Sequence, residues 1–517
     1  MTNRGLNTLI ILLVFIGVIV HFIPLSSQER MINSISDDGY LMMTIARNMA
    51  LGNGMSVSNG EIPTNGTQPL ATGLWAVGYW LFDGDKIKGI AWVILLQFVL
   101  ATLSALLIWQ GGKRLLQPSP DAGIIAGFAA AIWYASPILA GHTMNGLETA
   151  LYTLCIILAA MLFSFSKTSW PMRYWLGFGV LLGLCFWARN DATFFIFAVC
   201  IIHLLSGPFD LTTFKKRFVQ VLVMGSTSVV VALPWLINNV LNFGNIMPIS
   251  GQSESLLAEF GDNLHFIPVI LTEYVFVFLP VPQVIGSQFI VKLLCVIVLF
   301  ILPILLLIQQ LSPQIRRLSL SILIYTVCLI GFYGLFFGAA NFLARYFFPT
   351  TPFFVLLWAS LIVISWRYLQ QRLPLIIPVA TVLFIGIIVG LHARSYLFTK
   401  QSGGYHQYLG GFSRHFQFVE WVRDNASETT WVGAWQSGTI GYFHDYTINL
   451  DGKTNPEALE ARREKRIPEY MIQKEIKYFL DWAAFVVWKE KPVLKDNFSV
   501  IVEDKSKNLV VFQRNVN

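Results

Sequence analysis

Charge is what this 517-residue chain has least of: Asp, Glu, Lys and Arg together make up only 13% of it. An ordinary soluble domain carries roughly twice that fraction, so a globular protein built for water is excluded. Cysteine is sparse too. Cys155, Cys185, Cys200, Cys295 and Cys328 all lie inside apolar runs, with no Cys-x-x-Cys and no paired spacing. That excludes a disulfide framework or a thiolate metal centre and leaves them as small core hydrophobes. No P-loop, Gly-x-Gly-x-x-Gly or internal repeat is present, which removes the usual phosphate-cradling signatures of nucleotide enzymes. What abounds is apolar: 55% hydrophobic residues, with 40 Phe, 16 Trp and 17 Tyr, and a mean hydropathy of +0.60. This is the composition of a polytopic α-helical membrane protein. The net charge of +7 does not point to nucleic acid, because the basic residues are spread over short loops between apolar runs.

A membrane span needs about 20 apolar residues. That template predicts eleven transmembrane helices, near 6–25, 89–110, 121–140, 147–165, 174–188, 191–206, 218–240, 284–308, 318–340, 346–365 and 374–394. The pair at 174–188 and 191–206 is short for two spans and reads equally as one hairpin. Residues 6–25 lack a small-residue cleavage site and read as a retained first span rather than a signal peptide. Basic residues gather in alternate loops, at Lys113–Arg114, Lys167–Arg173, Lys215–Arg217, Arg316–Arg317 and Arg367–Arg372. The loop 241–283 carries Glu254, Glu259, Asp262 and Glu273 and no cation. By the positive-inside rule the N-terminus is cytoplasmic, and loop 26–88 and the C-terminal tail face outward from an inner or plasma membrane.

Residues 1–396 thus form a transmembrane domain, with 26–88 as its first outer loop, and 397–517 a second domain. In the outer loop, 38–51 predicts an amphipathic helix with Tyr40, Leu41, Ile45 and Met49 on one face and Arg47 and Asn48 opposite. The Gly-, Asn- and Pro-rich run up to Pro69 predicts loop. The tail holds sixteen basic and fifteen acidic side chains from residue 400 onward. It predicts strands at Thr430–Ala434, Thr447–Leu450 and Ala484–Lys489, a helix at Ser437–His444, and a hairpin of Phe498–Glu503 with Leu509–Arg514: a small soluble α/β domain. Asn-x-Ser/Thr sequons stand at Asn65, Asn425 and Asn497, a pattern common by chance.

The polar residues at the edges of the apolar runs are the candidates for chemistry. Asp37-Asp38 follows the first span. One of the pair can act as a general base while its neighbour tunes or orients it; the alternative is a helix N-cap. Glu148 heads an apolar helix with His142 nearby, and reads as a site residue or as a first-turn acid favoured by the helix dipole. Arg189 and Asp191, between two apolar runs, are either phosphate or sugar ligands or an internal ion pair. Arg345, beside Tyr346, suits a phosphate through its bidentate fork, or snorkels to the interface. Gln436 lies at a strand-to-loop junction, where α/β domains bind ligands. Asp451-Gly452 reads as ordinary turn chemistry.

Four of these segments together resemble the GT-C superfamily, the polytopic glycosyltransferases that use lipid-phosphate sugars. They are Asp37-Asp38, the Ile-Ala-Arg-Asn-x-Ala-x-Gly-x-Gly run at Ile45–Gly54, Asn-Gly-Leu-Glu-Thr-Ala-Leu at Asn145–Leu151, and Gln436–Gly452. The chain is similar to bacterial polyprenyl-phosphate-sugar transferases, including arabinofuranosyltransferases, and more distantly to protein O-mannosyltransferases and lipid A aminoarabinose transferases. Many relatives have Asp-Glu in place of Asp37-Asp38, and several have Arg-Pro-Asp/Glu in place of Arg189-Asn190-Asp191. The resemblance implies an inverting transfer at the outer membrane face, from a polyprenyl-phosphate sugar to a glycan, lipid or protein acceptor. It implies Asp37 as base and Arg189 or Arg345 on the departing phosphate. No metal site is visible, although some GT-C enzymes use a divalent cation and two carboxylates could hold one. A transporter or flippase of a lipid-linked glycan is the competing expectation. It would place charges at the midplane of two related halves, and no half-repeat is apparent in the sequence.

Overall fold

The structure, a computed structural model, describes residues 3–207, 210–256, 258–276, 280, 285, 288–294, 297, 312–338, 343–373, 376–402 and 415–515. Among these, six helices are long and apolar enough to cross a membrane: Gly5–Ser26, Lys86–Leu115, Leu211–Phe243, Pro313–Leu335, Leu343–Arg372 and Ile377–Tyr396. A seventh crossing is made if Ala122–Ala135 and Pro137–Thr143, bent by 65°, count as one. Eleven full spans are therefore not confirmed. The expected span at 284–308 lies largely outside the described residues. Thr149–Phe165, Met172–Ala188 and Ala192–Leu205 are apolar helices at the expected places, but short. At 1.5 Å per residue, 14 or 17 residues reach roughly 21–26 Å, less than a ~30 Å hydrocarbon core.

The helix breaks have local causes. Ser136 caps the segment after the bend by accepting from Leu139 N–H, with Pro137 at its first position. Gly244, at φ 69°, ends Leu211–Phe243 in the left-handed conformation. At the opposite end of the bundle Arg317 donates to the carbonyl of Ser166 (2.6 Å) and lies over Phe163, satisfying the end of Thr149–Phe165. The described cysteines are free.

The C-terminal domain is a five-stranded mixed sheet. Its strands are β3 (Val432–Ala434), β4 (Thr447–Asn449), β5 (Tyr478–Asp481), β6 (Phe498–Asp504) and β7 (Leu509–Arg514), in the order β4-β3-β5-β7-β6. β3 runs parallel to both neighbours, and β7 antiparallel to β5 and β6. The expected strand at Ala484–Lys489 is instead a 3-10 helix, Ala483–Glu490, and the strand lies earlier, at Tyr478–Asp481. The reason is the spacing of the aromatics. Phe485 and Trp488, three apart, share one face of a 3-10 turn and both pack on Phe479, at 6.0 and 5.3 Å, while Val487 points outward at 65% exposure.

The domain sits directly on the first outer loop. The expected helix there is Asp37–Ala50, but its polar face is not in water. Arg47 pairs with Asp445 (3.1 Å) and buried Asn48 donates to the Ser56 carbonyl. Tyr442 wedges between Tyr40 and Tyr79, its hydroxyl 2.8 Å from that of Tyr79. The expected loop after Gly54 contains a short ribbon, β1 (Ser56–Val57) with β2 (Ile62–Pro63), and Ser58 reaches across to the Thr447 carbonyl. Asn65 is fully buried, bonded to Asn239 and to the Ile249 N–H, so that sequon is structural.

Candidate active site

The helix Asp37–Ala50 is capped by neither carboxylate. Ser36 accepts from the Gly39 N–H, which leaves Asp37 and Asp38 in the first turn, where the dipole favours them. Adjacent helical side chains diverge by about 100°, and here they go to different places. Asp37 faces the C-terminal domain. It accepts from the backbone N–H of Gly438 (3.1 Å) and Thr439 (2.7 Å) and from the Thr439 hydroxyl (2.8 Å). Asp38 faces a cavity of about 320 Å³ between the apolar helices, the loop helix Ile249–Ser255 and the C-terminal domain.

Most of the expected residues line that cavity: Asp38, Glu148, Arg189, Asp191, Arg345 and Tyr346. Three do not. Asp37 is taken up as described. His142 stacks edge-on against Phe348, 5.4 Å between rings. Gln436 gives its backbone N–H to Asp481 at the end of the neighbouring strand β5. The sequence placed His142 near Glu148 by proximity along the chain, but only Glu148 lines the cavity.

The Arg189-Asn190-Asp191 turn joins the short helices Met172–Ala188 and Ala192–Leu205. The expected internal ion pair is present, and the turn also lines the cavity. Arg189 pairs with Asp191 at 2.6 Å and lies 3.7 Å from Glu148, all nearly fully buried, and all three line the cavity. The Tyr333 hydroxyl donates to the same Asp191 oxygen (2.8 Å). A lone carboxylate costs roughly 3 kcal/mol on membrane-insertion scales, so the pairing is what makes this turn tolerable. Tyr346 stacks on Tyr333 with centroids 4.1 Å apart, and the guanidinium carbons of Arg189 and Arg345 lie 5.0 and 5.4 Å from its ring. The ring holds the two cations apart on the same wall.

Arg345 reaches Asp38 at 3.2 Å, and Lys453 approaches the other Asp38 oxygen at 3.7 Å. Burial alone would push the Asp38 carboxyl up, but Lys453 and Arg345 bring it below its ordinary value, so it is ionised at neutral pH. Lys453 also contacts Glu254 (2.7 Å) and Asp451 (3.9 Å). Burial raises Asp451 to about 6, against the pull of Lys453.

Lys453, Glu254 and Tyr333 were not singled out by the sequence. A signal for one pair existed: a loop with four acids and no base needs a cation from elsewhere, and Lys453 provides it. Part of the remaining wall is apolar, with Leu41, Met42, Leu147, Phe194, Phe332 and Phe337, and part is polar, with Thr67, Gln68, Asn190, Thr193 and Ser250. Among the described residues no group of three or more His, Cys, Asp or Glu could by itself hold a metal ion. The site therefore combines four carboxylates (Asp38, Glu148, Asp191 and Glu254), two guanidiniums and an ammonium with a partly apolar wall, at the join of membrane and aqueous domains. Such an arrangement can hold an anionic head group on an apolar tail.

Residues 69–237 match the family model described as dolichyl-phosphate-mannose-protein mannosyltransferase, and residues 404–512 match a domain of unknown function (DUF8728). No curated protein matches the chain in sequence. Its fold is that of the GT-C glycosyltransferases. It is similar to ArnT from Cupriavidus metallidurans bound to undecaprenyl phosphate, with a TM-score of 0.59 and 10% identity over 97% of each chain. It is also similar to the archaeal oligosaccharyltransferase AglB from Archaeoglobus fulgidus in complex with an inhibitory peptide and a dolichol-phosphate, with a TM-score of 0.51 and 11% identity over 96% of this chain and 72% of that one.

Proposed function

We propose that this membrane protein is an inverting glycosyltransferase that moves a sugar from a polyprenyl-phosphate donor to an acceptor on the side of the membrane carrying the C-terminal domain. The observation that carries the proposal is the meeting of Asp38, Arg345 and Arg189 on one cavity with an aromatic and aliphatic wall. The family match over residues 69–237 and the fold support the glycosyltransferase class.

In this reading the prenyl chain lies along Phe194, Phe332 and Phe337, and the phosphate reaches Arg345 and Arg189. The acceptor oxygen attacks the anomeric carbon. The bond from that carbon to the phosphate oxygen breaks, the electron pair leaves with the polyprenyl phosphate, and the acceptor proton goes to Asp38. Fixed cations at a developing phosphate anion are worth several kcal/mol, and a positioned base adds about 10²–10⁴-fold. Donor phosphate also competes with Asp38 for Arg345, which loosens the hold on the carboxylate and makes it more basic when it is needed. Of the two adjacent acids, the one on the cavity is the better base, so Asp38 takes the role the family resemblance assigned to Asp37.

Gly66, Thr67 and Gln68 of the first outer loop line the same cavity, which supports acceptor selection by that loop. The distribution of basic loops supports an N-terminus in the cytoplasm and a C-terminal domain outside. The transporter reading is not favoured, since the charged residues gather in one cavity at helix ends. The test supplies membranes or proteoliposomes with radiolabelled polyprenyl-phosphate sugars and follows label to acceptor. Transfer from one donor, lost in Asp38→Asn and retained at least in part in Asp37→Asn, supports the assignment. Unchanged transfer in Asp38→Asn refutes Asp38 as base.

A further inference from the structure

The ammonium of Lys453 stands among three carboxylates brought from three parts of the chain. Asp38 comes from the first outer helix, Glu254 from the loop helix Ile249–Ser255, and Asp451 from the turn after β4. Their oxygens lie 3.7, 2.7 and 3.9 Å from its Nζ. Carboxylate oxygens converging on one point are what Mg²⁺ or Mn²⁺ binds, but metal–oxygen distances are about 2.0–2.2 Å. The spacing here is that of ammonium-to-carboxylate contacts. We propose that Lys453 is a built-in cation occupying the place a divalent ion would take, so that this chain transfers without metal and its C-terminal domain completes the active cavity.

The position of Lys453 is held from several sides. Its own N–H donates to Asp451 Oδ1 (2.8 Å), and Asn449 Oδ1 takes the N–H groups of Gly452 and Thr454. The Asp451 carbonyl accepts from Ser253 (2.6 Å) and Arg462 (3.0 Å), which ties the turn to the loop helix. Gly66 lies so close that a Cβ there would sit 1.9 Å from the Lys453 carbonyl oxygen. This is more anchoring than an ordinary Asp-Gly turn requires. Removing the ammonium leaves three facing acids with one fewer cation between them; as they stand they are not placed to hold a metal ion, but without the lysine between them their side chains are free to close on one.

The activity arm of the test rests on the transferase reading, and the binding arm does not. Purified full-length protein is titrated with Mn²⁺ and followed by electron paramagnetic resonance, for wild type, Lys453→Ala and Lys453→Arg. Lys453→Ala is expected to bind one Mn²⁺, and wild type and Lys453→Arg none. Transfer by wild type is expected to survive a chelator, to fall roughly a hundredfold in Lys453→Ala, and to recover in that variant with Mn²⁺. Chelator-sensitive wild-type transfer overturns the proposal, and so does a folded Lys453→Ala that binds no Mn²⁺. If Lys453→Ala does not fold, Mn²⁺ binding and chelator sensitivity of the wild type decide alone. If no donor supports transfer at all, the transferase reading fails while Mn²⁺ binding still decides the site.

Discussion

Asp37 and Thr439 stand 402 positions apart, and the carboxylate of the first takes both the backbone N–H and the hydroxyl of the second. With the Gly438 N–H added, Asp37 serves as an acid at the start of the helix Gly438–Phe443, supplied from another domain. The first outer loop and the C-terminal domain are thereby fixed to one another beside the cavity.

Replacing Asp37 by Ala removes hydrogen bonds to a charged acceptor, worth about 1–3 kcal/mol. The expected outcome is faster amide exchange at Gly438 and Thr439, with easier proteolysis between the domains. Asp38→Asn should change neither. Equal exchange in wild type and Asp37→Ala would show that the latch is not formed in solution.

Gly438→Ala tests the same contact from the other side. A Cβ there would lie 1.9 Å from the Asp37 carbonyl oxygen, which is backbone and cannot swing away. The domains must separate, so the variant should unfold earlier than Asp37→Ala in a thermal scan.

Arg189→Ala leaves Asp191 and Glu148 buried without their cation. Breaking such a pair costs about 3–5 kcal/mol, so a marked fall in thermal stability is expected together with loss of transfer. Restoring stability with Asp191→Asn in the same chain, without restoring transfer, would separate the two roles.

Asp481 is fully buried. Burial raises its carboxyl to about 7, helped by the nearby Asp37 charge and opposed by three backbone N–H donors, those of Trp482, Trp435 and Gln436. A carboxyl raised on folding binds its proton more tightly in the native state. Its stabilising contribution is complete below the ordinary carboxylate range and is lost as pH climbs through about 7. The melting temperature should therefore fall between pH 5 and pH 8, and this slope should flatten in Asp481→Asn even if that variant is less stable throughout.

Much of the membrane domain was legible in the sequence because each span is a local property. Twenty apolar residues cannot be left in water, so the helices at Gly5–Ser26, Lys86–Leu115 and Leu211–Phe243 fall where the hydropathy placed them. Glu148, Arg189, Asp191 and Arg345 were legible for the converse reason, since charge at the edge of an apolar helix needs a partner or a ligand. The Ala483–Glu490 segment was misread because a short run of Phe, Val and Trp fits a strand and a 3-10 turn equally well until its neighbours are known.

By itself, then, the sequence determined a polytopic helical protein with an α/β tail and a small set of polar residues in places where they are costly. The tertiary structure alone decided which of two adjacent aspartates faces the cavity, because that depends on what packs against each side of a helix turn. It also decided that Lys453 joins Asp38 and Glu254. Long-range electrostatic pairing is fixed by how domains dock, and no local pattern in the chain encodes it.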